Sequence, residues 1–210
     1  MRPPESWSSA RVTLGITLVT AAAWMVASLL GLGGWAAAWG GFVPGHAAPG
    51  GTDGSAPFWL TPLTATLVHA NIIHVAFNLL ILVFCGRPTE AVLGPVGFAV
   101  LYLLGAYAAA AGQYAANPNE LTVMIGASGA VSAVLGAYAI LFGRNRVKVV
   151  NPRLATWLNA LWLMAAWVGL QLIVAIAIPG VGIAIAAHIG GFLLGVALAN
   201  PLLLLRYRKA

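Results

Sequence analysis

Long apolar runs, separated by short polar or glycine- and proline-rich stretches, set the pattern of the chain. A helix that crosses a bilayer needs about 20 mostly apolar residues. Six stretches meet that requirement, near Val12–Trp35, Pro62–Cys85, Ala91–Ala111, Ile125–Phe142, Leu154–Ile178 and Gly182–Leu205. Apolar and polar residues do not alternate within them, which excludes the strands of a transmembrane barrel. With lipid as solvent the backbone must satisfy its own hydrogen bonds, so each run is a helix. The pattern predicts an all-α membrane protein. Its six-helix membrane domain covers 12–205, between a short N-terminal segment, 1–11, and a C-terminal tail, 206–210.

Composition agrees with lipid as the main solvent. Of 210 residues 61% are apolar and only 7% are charged, against roughly 25% charged in soluble domains. The placement of charge then fixes an expected topology. Arg2 and Arg11, Arg87, Arg144, Arg146, Lys148 and Arg153, and Arg206, Arg208 and Lys209 all fall on one side of a six-span chain, while the other side carries Asp53 and Glu120. Basic residues collect on the cytoplasmic side, so both termini are expected there, and a five- or seven-span chain would break the pattern. Topology thus accounts for the net charge of +6 without nucleic-acid binding. Residues 1–38 imitate a secretory signal, but the first run is long and five more follow, so it is read as an uncleaved span. Cys85, the only cysteine, permits no intrachain disulfide and reads as a small apolar filler.

The external connections differ in kind. Gly34–Thr61 is rich in glycine and proline and holds Trp35, Trp39, Phe58 and Trp59; such aromatics favour the membrane interface, so this segment is expected to lie against the bilayer. Gln113–Met124 is polar, with Asn117-Pro118-Asn119-Glu120 as a turn signal. The third is a tight turn at Pro179-Gly180. Neither end reads as a soluble domain.

Polar groups at membrane depth are costly and usually functional. Four stand out: His74, Asn78, Ser128 and His188. At about 1.5 Å per residue, His74 lies roughly 20 Å from Arg87, Ser128 roughly 24 Å from Arg144 and His188 roughly 27 Å from Arg206. In a core about 30 Å thick the three share the outer half. Ser128 sits in Gly126-Ala127-Ser128-Gly129, where a polar loop becomes an apolar helix. It reads either as a helix cap or as a hydroxyl beside free backbone N–H groups and a positive dipole end, the donors an oxyanion needs. His188 precedes Gly191 and Gly195, a Gly-x-x-x-Gly pair, while Ser128, Ser132 and Gly136 form a second small-residue stripe. Packing along such stripes would bring His188 to Ser128 as a proton acceptor; an ordinary helix contact with an interhelical hydrogen bond is the competing reading. His74 and Asn78, four apart, share a helical face and suit a second pair of oxyanion donors or a structural polar link. His69, about 140° around a helix from His74, is poorly placed as its metal partner and reads as bonding a loop. His46 has no assigned role, and Glu90, just inside, reads as structural.

Together these residues resemble the rhomboid family of intramembrane serine proteases. The matching pieces are His69-Ala70-Asn71-Ile72-Ile73-His74-Val75-Ala76-Phe77-Asn78, Gly126-Ala127-Ser128-Gly129, and Ala187-His188 with Gly191 and Gly195, in the family's order over about 62–195. The resemblance implies a rhomboid-like bundle in which Ser128 is the nucleophile and His188 its base and later acid. His74, Asn78 and the backbone N–H of Ser128 would hold the oxyanion. Gly126, Gly129, His69, Gly191 and Gly195 would support them, with no metal and no cofactor. It further implies a fourth helix starting below the outer surface, an approach lined by 113–124, and a fifth helix whose Trp157, Trp162 and Trp167 flank a lateral entrance. Substrates would be single-pass or otherwise membrane-anchored proteins in the bilayer, cut near small residues where their helix tops unwind. The expected location is a prokaryotic plasma membrane, with the active site opening outward. Two departures stand out: Ser132 occupies a position, four after the nucleophile, where the family often has an aromatic packed on the base, and the usual Trp-Arg pair of the first external loop is missing. Two other readings are a non-catalytic relative that binds transmembrane clients and a small transporter lined by His69, His74 and His188. Loss of the serine or histidine would mark the first. Internal repeats and more intramembrane charge would mark the second.

Overall fold

The computed structural model describes residues 10–47, 54–143, 151–177 and 183–208. Over the described residues the chain is helical, with one isolated antiparallel bridge, Phe42 to Met124. The helices are α1 (Arg11–Leu29), α2 (Gly33–Gly40), α3 (Thr61–Thr64), α4 (Ile72–Ala116), α5 (Ser128–Phe142), α6 (Pro152–Ala177) and α7 (Ile185–Tyr207), with 3-10 turns at Pro44–Ala47 and Ala65–Leu67. Helices α1, α4, α6 and α7 are long and apolar enough to cross a membrane. Helix α4, with 45 residues, is about twice as long as one crossing needs. It is two helices joined at Gly94, whose φ of 77° and ψ of 165° are not helical and suit a residue without a Cβ. A Cβ at Gly86 would lie 3.1 Å from the ring of Phe98, so the two arms of α4 run side by side. With α5, the described residues supply six crossing segments.

Several expected boundaries are corrected. The first run breaks after Leu29, where Gly31 takes a φ of 67°, and its end becomes α2. The second crossing begins at Ile72, not Pro62: Val68 is extended, and the Oδ1 of Asn71 accepts the backbone N–H of His74 at 2.9 Å, capping α4. Residues 86–90, expected as a cytoplasmic loop between two spans, are helical, and the third crossing starts after Gly94 rather than at Ala91. The fourth starts at Ser128 rather than Ile125 and has 15 residues, about 22 Å of helix, so it is shorter than the ~30 Å apolar core. The charges at Arg2, Asp53, Arg144, Arg146, Lys148 and Lys209, and the turn at Pro179-Gly180, lie outside the described residues.

Helices α5 and α7 pack most closely on one another and on α4. Ala130 through Ala137 of α5 are buried throughout, which makes it the central helix. Glycine sets the approach: a Cβ at Gly191 would strike the carbonyl of Gly129, one at Gly195 that of Ala133, and one at Gly136 that of Phe192. Helix α6 meets α5 and α7 far more lightly, and it leaves Trp157 and Trp162 exposed.

Glu90 shows why the polar stretch 86–90 belongs in the bundle. Its side chain is fully buried, so it does not sit in a flank or loop. Its Oε1 accepts the N–H of Val12 at 2.8 Å, and its Oε2 accepts the N–H of Thr13 at 2.7 Å and the hydroxyl of Thr13 at 2.6 Å. These are first-turn donors of α1, whose own N-cap residue, Ala10, offers no side-chain bond. The carboxylate thus satisfies orphan N–H groups at a positive dipole end. At the same end of the bundle, Arg206 of α7 donates to the carbonyl of Ala91 at 2.5 Å. Glu90→Ala is expected to lower stability by about 1–3 kcal/mol, read as a lower thermal midpoint in detergent. Thr13→Val, which removes only the hydroxyl bond, should lower it less.

Candidate active site

The turn that carries Ser128 is fixed before the helix begins. Met124 exchanges backbone hydrogen bonds with Phe42, at 2.9 and 2.8 Å, and the N–H of Gly126 reaches the carbonyl of Ala65 at 2.9 Å. Gly126 has a φ of 109°, a conformation that L residues with a Cβ rarely adopt. The N–H of Ala127 then donates to Nε2 of His69 at 3.3 Å. His69 is therefore a loop-bonding histidine on the extended stretch before α4, not a residue on the helix of His74. The two rings consequently sit edge to face with centroids 4.9 Å apart, closer than a shared helix would place them. Among the described residues no three of His, Cys, Asp and Glu gather as a metal site would require.

Ser128 is the first residue of α5, after Ala127 at the N-cap. Its side chain does not cap the helix. Its Oγ lies 2.7 Å from Nε2 of His188, a full hydrogen bond. The first intrahelical bond of α5 runs from Val131 N–H to Ala127, so the N–H groups of Ser128, Gly129 and Ala130 precede the ladder, at the positive end of the helix dipole. His188 is only 5% exposed, in the first turn of α7, where Gly191 and Gly195 let α7 approach α5. The contact between a short serine and a histidine thus follows from the glycine seam.

His74 and Asn78 lie on one face of α4, as their spacing predicts. A Cβ at Gly126 would stand 2.6 Å from Nε2 of His74 and 3.8 Å from Nδ2 of Asn78. Both nitrogens therefore face the turn that enters Ser128. Nδ2 of Asn78 also donates to the carbonyl of His74 at 3.0 Å, which fixes the amide's direction. Gln113, on the last turns of α4, donates to Glu120 at 2.8 Å and ties down the loop that leads to Met124.

The sequence places Trp167 at an entrance, Ser132 in a packing stripe and Phe77 within a motif; the structure gathers all three beside the pair. Trp167 of α6 is buried, with its indole N–H 2.8 Å from Oγ of Ser132. The Ser132 hydroxyl donates in turn to the carbonyl of Ser128 at 2.7 Å. Phe77 stacks on Trp167 with centroids 5.7 Å apart and planes 6° apart, and Trp167 meets His188 edge to face at 6.3 Å. The three α6 tryptophans therefore do not act as one set. Trp157 and Trp162 face outward, whereas Trp167 turns in. At five-residue spacing each lies about 140° around the helix from the one before, so the three share no single face, but the spacing does not pick out Trp167 as the one that turns in.

The rhomboid-domain family model matches residues 57–205. The chain is 31% identical over 135 residues to Rhomboid protease GlpG of Pectobacterium atrosepticum, covering 63% of this chain and 45% of that protein. It is 31% identical over 134 residues to Rhomboid protease GlpG of Serratia proteamaculans, covering 63% of this chain and 44% of that one. It is 30% identical over 135 residues to Rhomboid-related protein 2 of Mus musculus, again covering 63% and 44%. The aligned part therefore makes up less than half the length of these relatives.

The geometry of the turn yields a direct test. Gly126→Ala forces a Cβ onto a φ of 109° and into the ring of His74, and should lower the thermal midpoint by the equivalent of about 1–3 kcal/mol. Gly169→Ala, on α6 with nothing within 4 Å of the added Cβ, should leave the midpoint unchanged or raise it.

Proposed function

The chain belongs to the rhomboid family, and from that premise we propose that it is an intramembrane serine endopeptidase whose catalytic pair is Ser128 and His188. The observation that carries this reading is the 2.7 Å contact between Ser128 Oγ and His188 Nε2, at the start of a helix and inside an integral membrane bundle. A neutral imidazole at that distance takes the serine proton as Oγ attacks the scissile carbonyl carbon. The oxyanion that forms is held by the N–H of Ser128, with His74 and Asn78 facing it from α4. His188 then gives its proton to the departing amine nitrogen, leaving an acyl-serine. A water molecule, deprotonated by His188, attacks that ester, and the proton returns to Ser128 as the new carboxyl product leaves. His69 takes no proton in this scheme. It holds the N–H of Ala127 and so the turn beneath the oxyanion.

The substrates we propose are single-pass or otherwise membrane-anchored proteins that reach the site within the bilayer and are cut near small residues where their helices unwind. Arg11, beside the Glu90 cap, and Arg206, on Ala91, lie at the end of the bundle away from Ser128. Under the positive-inside rule that end is cytoplasmic and the site opens outward, in a prokaryotic plasma membrane. The membrane domain takes in 12–205, between cytoplasmic termini.

Cleavage of single-pass reporters with small residues near their outer helix ends, in proteoliposomes, tests the reading. The parent should release a soluble fragment, insensitive to chelators, and Ser128→Ala and His188→Ala should each lower kcat by at least about 10³-fold. Asn78→Ala should lower it by roughly 10²-fold with KM little changed. A folded parent that binds such reporters and cuts none would instead make this a client-binding relative.

A further inference from the structure

Resting on the serine-protease reading above, we infer that Trp167 is a positioning residue for the base: anchored through Ser132, its ring holds His188 in line with Ser128. Helix α6 otherwise contributes little to the site, and most of its large side chains are exposed. Trp167, at 5% exposure, and Gln171, one turn on at 7%, are buried; of the two it is Trp167 that reaches the catalytic pair. An indole buried that deeply needs an acceptor for its N–H, and Ser132 Oγ supplies one at 2.8 Å. Ser132 is itself fully buried and spends its one hydroxyl hydrogen on the carbonyl of Ser128 at 2.7 Å. The direction of the chain is therefore fixed: indole N–H to serine hydroxyl to nucleophile carbonyl. Hydrogen bonds in such a series polarise one another.

Two further contacts fix the plane of the indole. Phe77 lies parallel to it on one side, at 5.7 Å and 6°. His188 meets it edge to face at 6.3 Å and 70°, within the 4.5–7 Å range in which aromatic pairs attract. His188 is tethered to Ser128 through Nε2, but one hydrogen bond leaves a ring free to swing about it. The indole supplies the second constraint. Ser132 bonds the indole N–H and the Ser128 carbonyl; its small size admits the indole, and its hydroxyl anchors it. A catalytic pair needs its partners held within about 0.5 Å and 10–20°, so the link from α6 acts on turnover rather than on substrate binding.

The test is a double-variant cycle with the full chain in proteoliposomes: Trp167→Phe, Ser132→Ala and both together. Each is read by kcat, KM and thermal midpoint, beside the parent and Ser128→Ala. Each single variant should lower kcat about three- to tenfold while KM stays within about twofold. The double variant should be no worse than the poorer single one, because both break the same link. Trp167→Ala, which also removes the ring, should lose on the order of 10²-fold in kcat. Unchanged kcat in both folded single variants overturns the inference. So does a double loss equal to the product of the two, or a loss that appears in KM alone. If Trp167→Phe does not fold, Ser132→Ala decides, since it cuts the link from the other side. A parent that cuts reporters, silenced by Ser128→Ala but indifferent at Trp167 and Ser132, would overturn this inference and leave the protease reading standing. A parent that cuts nothing would overturn both.

Discussion

A serine and a histidine on different helices can hydrogen-bond only if the two backbones nearly touch, and the seam between α5 and α7 meets that condition with glycine. Gly191 lies on the carbonyl of Gly129, and Gly195 on that of Ala133, with no space for a methyl group at either. Within lipid no hydrophobic effect drives helices together, so close van der Waals packing of small residues must. The same seam that stabilises the bundle therefore sets the 2.7 Å separation of Ser128 and His188. A wider seam would keep every helix and lose the pair.

Around that seam several buried polar groups have an identifiable task. Glu90 caps α1, and Arg206 takes up a carbonyl close to the kink in α4. His69 holds the turn before Ser128, and Gln113 holds Glu120. The segment between α2 and α3 contributes through its backbone, by the bridge between Phe42 and Met124. Each contact satisfies a group that would be costly to bury alone, while Ser128, His188, His74 and Asn78 are grouped around one turn.

Much of this was legible in the sequence because membrane helices announce themselves by length and composition. The six crossings, the shared height of His74, Ser128 and His188, and the facing small-residue stripes all followed from counting residues. The failures have physical causes. Residues 86–90 read as a loop because they carry Arg87, Pro88 and Glu90, yet Glu90 finds the N-terminus of α1, 77 residues away in sequence at Thr13, and no local pattern reports such a partner. The apolar run continues through His69 and suggests one helix with His74, whereas Asn71 caps the helix after it. On the residues alone the first turn of a helix suits Ser128 as either cap or nucleophile, and only the resemblance favours the nucleophile; in the structure Ala127 occupies the cap position. The resemblance groups Trp167 with Trp157 and Trp162 beside an entrance, whereas the acceptor that holds Trp167 inward, Ser132, lies on another helix, which no pattern along α6 reports.

The central claim is that Ser128 is an activated nucleophile. The most direct measurement is peptide mapping, by mass spectrometry, of the adduct formed when the protein in liposomes reacts with a fluorophosphonate. The account predicts one adduct, on Ser128, that is lost in His188→Ala while Ser132 remains unmodified. Folded protein that forms no adduct, or forms it on another serine, or labels equally without His188, would contradict it.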